Sequence, residues 1–173
     1  MKGTFKMLLF AAVYLAATKA VSTALSSTLN EPPANYYSRR RTFEVIISQQ
    51  MTWYDSMIYC KSRQGDLATI RSQEENDEVV ELIGKTGLAA GPAVSVGFWL
   101  GGARLASSSD WFWMTDGDTT KRFENWHDGQ PNNFGGNQTA LQYSYYPQAY
   151  GGSSSVKWND DNILNLRYIV CEY

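Results

Sequence analysis

Thr52-Trp53-Tyr54-Asp55-Ser56-Met57-Ile58-Tyr59-Cys60 is the stretch on which the reading of this chain turns. Thr52 followed by Asp55 is a variant of the capping box, in which side chains satisfy the free N–H groups of a helix's first turn. Trp53, Met57 and Cys60 then recur at helical spacing and share one apolar face. Gly65 is the expected end of this helix. Just upstream, Thr42 to Ser48 alternates, with Phe43, Val45 and Ile47 on one side and Glu44, Ile46 and Ser48 on the other, which is the period of a strand. Downstream, Leu67, Ala68 and Ile70 form a short apolar connection. Ser72 and Glu75 make a second capping box, and Val79, Val80, Leu82 and Ile83 give a second helix its apolar side.

Beyond Gly87 the texture changes. Val94 to Leu100 and Asp110 to Met114 read as strands, and the stretch from Ala103 to Ser155 is rich in Gly, Ser, Asn and Asp. Two early helices followed by a loop-rich region with short strands is an α+β pattern. Loops longer than about 15 residues are usually functional or disordered. Trp111, Trp113, Trp126 and several tyrosines mark this one as ordered, since disordered tracts are poor in aromatics. No segment repeats. Gly151-Gly152-Ser153-Ser154-Ser155 is a low-complexity patch that reads as a mobile loop tip.

The N-terminus carries Lys2 and Lys6, the apolar run Met7 to Ala17, and small residues leading to Ala20 and Ala24. These are the parts of a secretory signal peptide, residues 1–20, with cleavage as late as 24 also fitting. The run falls short of the roughly 20 apolar residues that span a bilayer. Residues 21–41 then form a short leader and residues 42–173 one domain of ordinary size, with no later segment apolar enough for membrane insertion. Three of the 15 basic residues and none of the 17 acidic ones lie in the first 20 positions, leaving 12 against 17 and a net charge of −5. That balance excludes nucleic acid and anionic membrane as partners, because both reward clustered Lys and Arg. The one basic run, Arg39-Arg40-Arg41, reads as a solvated start to the first strand.

Two cysteines, Cys60 and Cys171, remain in a chain bound for an oxidising compartment, where they can pair. Two free, buried thiols are the alternative.

Taken in order, Met51-Thr52-Trp53-Tyr54-Asp55, Cys60, Gly65-Asp66-Leu67-Ala68, Phe98-Trp99-Leu100-Gly101-Gly102, Trp113, Asn125-Trp126, Gly129-Gln130-Pro131-Asn132, Trp158-Asn159-Asp160 and Cys171 form a series that resembles the C-type lectin-like domain over residues 42–173. The resemblance implies an α+β, C-type lectin-like fold: two helices and antiparallel strands with a long loop region. Phe98 to Gly102 stands where the family's central apolar strand commonly reads Trp-Ile-Gly-Leu. Cys60 and Cys171 match its outer disulfide, from the first helix to the last strand. Ala140 and Ile163 occupy the positions of the inner disulfide. Without that bridge, the stretch from Gln138 to Lys157, including Tyr143 to Tyr150, is expected to be the loosest part of the domain.

In sugar-binding members a calcium ion sits between a Gln/Glu-Pro-Asn/Asp loop and a Trp-Asn-Asp strand, and vicinal sugar hydroxyls complete its coordination. By position, the resemblance implies Gln130, Asn132, Gln138, Asn159 and Asp160 as ligands of Ca2+ and of the carbohydrate, with Pro131 in the cis form typical of the family. Mannose-type members use Glu-Pro-Asn and galactose-type members Gln-Pro-Asp; Gln130-Pro131-Asn132 is neither. Gln138 stands where the family usually has Glu. Four amides and one carboxylate make a weak calcium site, because affinity follows ligand charge and rigidity. Amide oxygens committed to an ion also leave few acceptors for sugar hydroxyl protons. Phe134 before Gly135-Gly136 is similar to the aromatic-plus-glycine loop of galactose-type members, whose ring stacks on the sugar; an ordinary exposed loop phenylalanine is the alternative. Asn137-Gln138-Thr139 is an N-glycosylation sequon whose glycan would stand beside this site.

Catalysis finds little support. His127 is the one histidine, in the Asn125-Trp126-His127-Asp128 stretch, and would have to serve any Ser-His-Asp or Cys-His site. No Gly-x-Ser-x-Gly elbow, His-Glu-x-x-His helix or phosphate-cradling glycine loop is present. The paired acids Glu74-Glu75 and Asp160-Asp161 fall at a helix start and a strand end, where capping and ion binding explain them. Two readings follow from the resemblance. One is a secreted, extracellular lectin for glycans or glycoproteins, galactose-type on the strength of Gln130 and Phe134, with calcium aiding or absent, and a role in innate immune recognition like that of invertebrate soluble lectins. The other is a lectin-like domain that binds a protein ligand, ice or another non-sugar partner independently of calcium.

Overall fold

The computed structural model describes residues 41–90, 96–105, 108–147 and 154–173. The expected signal segment, the leader up to residue 40, the strand start at Val94 and the Gly151-Gly152-Ser153 part of the low-complexity patch lie outside the described residues. Along the chain come β1 (Phe43–Met51), α1 (Trp53–Ser62), β2 (Asp66–Leu67), α2 (Gln73–Lys85), β3 (Val96–Ala103), β4 (Phe112–Trp113), β5 (Ala140–Tyr145), β6 (Val156–Asp161) and β7 (Arg167–Glu172). The strands form one sheet in the order β1-β7-β3-β5-β6, with β2 added to β7 and β4 to β3. Pairing is antiparallel except between β3 and β7, which run parallel with Phe98 opposite Tyr168 and Trp99 opposite Ile169. The fold is the α+β, C-type lectin-like arrangement that the sequence implies.

Strand alternation sorts the core onto two faces of the sheet. Phe98 and Leu100 of β3 join Val79 and Ile83 of α2, Trp111, Trp113, Leu141, Tyr143 and Trp158 in one cluster. Trp99 faces the opposite way and joins Trp53 and Cys60 of α1, Ile46, Ala140, Ile169 and Cys171 in the other. Both buried indoles of the second cluster also satisfy their N–H groups, Trp53 on Leu100 O at 2.8 Å and Trp99 on Met51 O at 2.9 Å. Those two bonds fix α1 and the end of β1 to the central strand.

Both helices begin at the expected caps. Thr52 Oγ1 accepts the Asp55 N–H at 3.3 Å and donates to Asp55 Oδ2 at 2.6 Å. Ser72 Oγ accepts the Glu75 N–H at 3.2 Å, and the Glu75 carboxylate reaches back to the Arg71 N–H at 2.7 Å. The first helix ends sooner than expected, at Ser62. Gln64 takes the left-handed conformation (φ 65°), the reversal that was expected of Gly65. Gly65 serves a different need: a Cβ there would lie 2.5 Å from the Glu172 carbonyl oxygen.

Four further expectations are corrected. In β1, Ile46 is the buried side chain and Ile47 is 43% exposed, because the register with β7 shifts between Ile46 and Met51. The strand expected over Asp110 to Met114 pairs only at Phe112–Trp113, opposite Ala103 and Gly102. Arg41 is not a solvated strand start. Its guanidinium donates to Glu172 Oε2 at 2.9 Å, to Thr69 O at 3.1 Å, and also to Thr69 Oγ1 and Glu75, joining the head of β1 to α2 and β7. Finally, Ala140–Tyr145 is no loose segment. It is β5, buried at every position and hydrogen-bonded between β3 and β6. Leu141 and Tyr143 fill one core while Gln142 and Ser144 are covered on the other side, so polar residues in the pattern disguised a strand buried on both faces.

The Cys60–Cys171 disulfide joins α1 to β7 across 111 residues, with Cα atoms 5.6 Å apart. The neighbours of β7 are β1, β2 and β3, so this one bond ties the helix to the middle of the sheet. Closing a loop of this length restricts the unfolded chain and stabilises the fold by roughly 4–5 kcal/mol. The Cys60→Ser/Cys171→Ser double variant should lose stability of that order in urea unfolding; a loss below about 1 kcal/mol would show that the bridge is dispensable.

Candidate functional site

Trp158 of β6 anchors the region. Its fully buried ring meets Trp113, Phe123 and Trp126 edge-on, with centroids 5.5–5.7 Å apart. The Trp158 carbonyl then accepts the His127 N–H at 2.9 Å, and the His127 carbonyl accepts the Gln130 N–H at 3.0 Å. These bonds set the stem of the loop from Gly129 to Thr139 beside the next two residues of β6, Asn159 and Asp160. The peptide between Gln130 and Pro131 is cis, as the resemblance implies, and Asn133 is left-handed at φ 48°.

Asp160 is the hub. Its side chain is fully buried, and its two oxygens accept the N–H groups of Asn132 (Oδ1, 3.1 Å) and Asn133 (Oδ2, 2.7 Å). Four loop amides complete the arrangement. Gln130 Oε1 accepts the Asn132 N–H at 3.0 Å. Asn132 Oδ1 and Gln138 Oε1 share the Phe134 N–H, at 2.9 and 2.7 Å. Asn133 Oδ1 accepts the Gln138 N–H at 3.1 Å.

Of the residues singled out in the sequence, Gln130, Asn132, Gln138 and Asp160 are therefore brought together in one hydrogen-bonded loop. Asn159 is adjacent but buried, its Nδ2 donating to the Asp160 carbonyl at 2.6 Å. Phe134 sits at the tip and is 80% exposed, and Asn137 of the sequon is exposed as well. Asn133 is the residue that sequence reasoning missed. Its signal was the doubled Asn after proline, since Asn tolerates the left-handed turn that this loop needs.

Asp161 points away from the loop, as the next residue on a strand must. Its carboxylate accepts from Gln142 Nε2 and Arg167 Nε (both 2.9 Å), Asn162 N (2.8 Å) and Asn165 Nδ2 (2.7 Å). It serves the turn between β6 and β7, so only one of the paired acids faces the site.

Calcium takes six to eight oxygens and is held in proportion to ligand charge. This loop offers one carboxylate, both of whose oxygens already accept backbone N–H groups, and amides whose oxygens are used in the same way. Among the described residues no group of three or more His, Cys, Asp or Glu gathers in space. The residues present fit a calcium ion poorly.

His127 is buried, with Nε2 2.9 Å from the Ser144 carbonyl and its ring against Tyr146. Burial, aided by Lys157, pushes its pKa below the ordinary value. A buried imidazole bonded to backbone is placed to brace the loop stem and not to abstract a proton from a ligand.

The lectin C-type domain family model matches residues 49–173. A perlucin-like protein of Mytilus galloprovincialis is 37% identical over 81 residues, 47% of this chain and 48% of that one, so this match spans about half the length of each. A C-type lectin of Cerberus rynchops is 25% identical over 146 residues, 83% of this chain and 84% of that one. Among solved structures, human lithostathine superposes with a TM-score of 0.62 at 20% identity, over 78% of this chain and 92% of that one, a likeness of fold.

Two outcomes are expected. Asp160→Ala removes the acceptor of two loop N–H groups and should cost about 2 kcal/mol, with faster hydrogen exchange at Asn132 and Asn133; unchanged exchange there would show that the loop does not depend on the carboxylate. The depressed pKa of His127 means that the unfolded chain takes up its proton first as pH falls. Its contribution to stability is full above the ordinary value of about 6.5 and is lost as pH falls through the folded pKa. Urea unfolding between pH 7.5 and 5 should show this loss in the native protein and a smaller one in His127→Phe.

Proposed function

This chain belongs to the lectin C-type domain family, and from that premise we propose that it is a secreted carbohydrate-binding protein whose binding face is the loop from Gly129 to Thr139 with the end of β6. The observation that carries the reading is the clamp of that loop on Asp160. It holds several polar side chains and one exposed aromatic ring in a fixed arrangement, which is what recognition of a small polar ligand requires.

Glycans or glycoproteins are the partners in this reading. Phe134 offers a flat apolar surface to the C–H face of a sugar ring, and with Gln130 it supports galactose-type saccharides among the neutral ones. A calcium ion would have to be held by Asp160 and the amide oxygens of Gln130, Asn132, Gln138 and Asn159, a set that suits it poorly, so the reading does not depend on calcium. Asn137 is the glycan acceptor of the sequon. Secretion rests on the N-terminal basic and apolar segment, and an extracellular glycan binder of one domain suits innate immune recognition of microbial surfaces. Catalysis has no support from the family, and the one histidine is committed to the loop stem.

The test is a glycan array probed with the mature protein, once with calcium and once with chelator. Binding to a defined saccharide class is expected, weakened about three- to tenfold by Phe134→Ala through loss of ring stacking. Silence toward every glycan under both conditions would overturn the proposal.

A further inference from the structure

The hydrogen bonds of the loop decide which way its amides face. A backbone N–H can be accepted only by the oxygen of a side-chain amide, never by its NH2 group. Gln130, Asn132, Asn133 and Gln138 each spend their oxygen on such an N–H. Their four NH2 groups are therefore turned away from the N–H groups they cap, and none of them has a hydrogen-bond partner among the described residues. Asn132 and Gln138 share the single N–H of Phe134, so two of these amides are anchored at the backbone of the residue that carries the exposed ring.

No ionised acceptor stands among them. The stretch Gly129 to Thr139 contains no ionisable side chain. Asp160, the one carboxylate of the site, is buried with both oxygens occupied. The side chains present a surface of donors. A sugar hydroxyl both donates and accepts, so against this surface its proton must share an amide oxygen that already accepts an N–H, and a bond shared in that way contributes less to binding. A carboxylate or sulfate ester has only acceptors and matches the surface at every oxygen, through the stronger hydrogen bonds that an ionised acceptor makes.

Resting on the reading of this face as a carbohydrate site, we propose that its ligands are saccharides bearing carboxylate or sulfate groups, bound without calcium. The oxyanion lies against the NH2 groups of Gln130, Asn132, Asn133 and Gln138, and the adjoining sugar ring lies on Phe134. The metal is unnecessary because Asp160 already holds the loop in its binding conformation.

The experiment is an array carrying uronate-bearing glycans, sulfated glycans, and their carboxyl-reduced and desulfated counterparts, probed with the mature protein in chelator and in calcium. Oxyanion-bearing glycans should be bound at least tenfold more tightly than their neutral counterparts, equally in both buffers, and the two arms distinguish uronate from sulfate. Gln130→Glu and Gln138→Glu each keep the oxygen that caps the loop and replace NH2 with a charged oxygen. In variants that circular dichroism shows to be folded, either should weaken oxyanion binding at least tenfold; two such variants guard against one failing to fold. Equal binding of neutral counterparts, loss of binding in chelator, or full binding by both folded variants would overturn the proposal. Silence toward all glycans would defeat the broader carbohydrate reading instead.

Discussion

A fully buried carboxylate must have its hydrogen bonds supplied by the protein, since an unpaired charge taken out of water costs several kcal/mol. Asp160 is in that position, and the backbone N–H groups of Asn132 and Asn133 meet the demand. To present two consecutive N–H groups to one carboxylate, the chain turns through the cis peptide before Pro131 and the left-handed residue Asn133. The amide side chains then take up the N–H groups that the turn exposes. Loop shape, amide orientation and the exposure of Phe134 all descend from this one buried charge.

The charge is where it is because Trp158, two residues earlier, is wedged among three other aromatic rings. The scaffold behind it is held by a single disulfide. Where the family's second bridge would stand, Ala140 and Ile163 contribute apolar surface to the same core cluster as that disulfide. The turn after β6 is secured by polar bonds to Asp161, from Gln142 of β5 and from Asn165 and Arg167. Burial and hydrogen bonding thus connect β5, β6 and the turn that follows, without a covalent link.

Elements governed by local chemistry were legible in the sequence. Thr52 and Ser72 announce both helices because a cap acts over three residues. The Cys60–Cys171 pairing and the candidate loop were legible through the family resemblance, carried by the ordered series from Met51 to Cys171 that includes Gln130-Pro131-Asn132 and Trp158-Asn159-Asp160. What stayed hidden depends on distant partners. Ala140–Tyr145 looks polar and loose until β3 and β6 are placed on either side of it. Arg41 looks solvated until Thr69, Glu75 and Glu172 close round it. Gly65 looks like a helix stop until the Glu172 carbonyl is found against it. In the site, residue types could be named, but which end of each amide faces outward is set by backbone N–H groups that no sequence displays.

The amides at 130 and 138 and the buried Asp160 belong to one electrostatic arrangement. Carboxylates at those two positions would gather with Asp160 around the same few ångströms of loop. Like charges so close repel strongly in a partly buried site, and a cation is the ordinary remedy. Gln130 and Gln138 remove two of the three charges and keep the oxygens that cap the loop. One carboxylate remains, and two backbone N–H groups are enough to compensate it. The substitutions that weaken the case for calcium are thus the same ones that let the loop hold its shape without it.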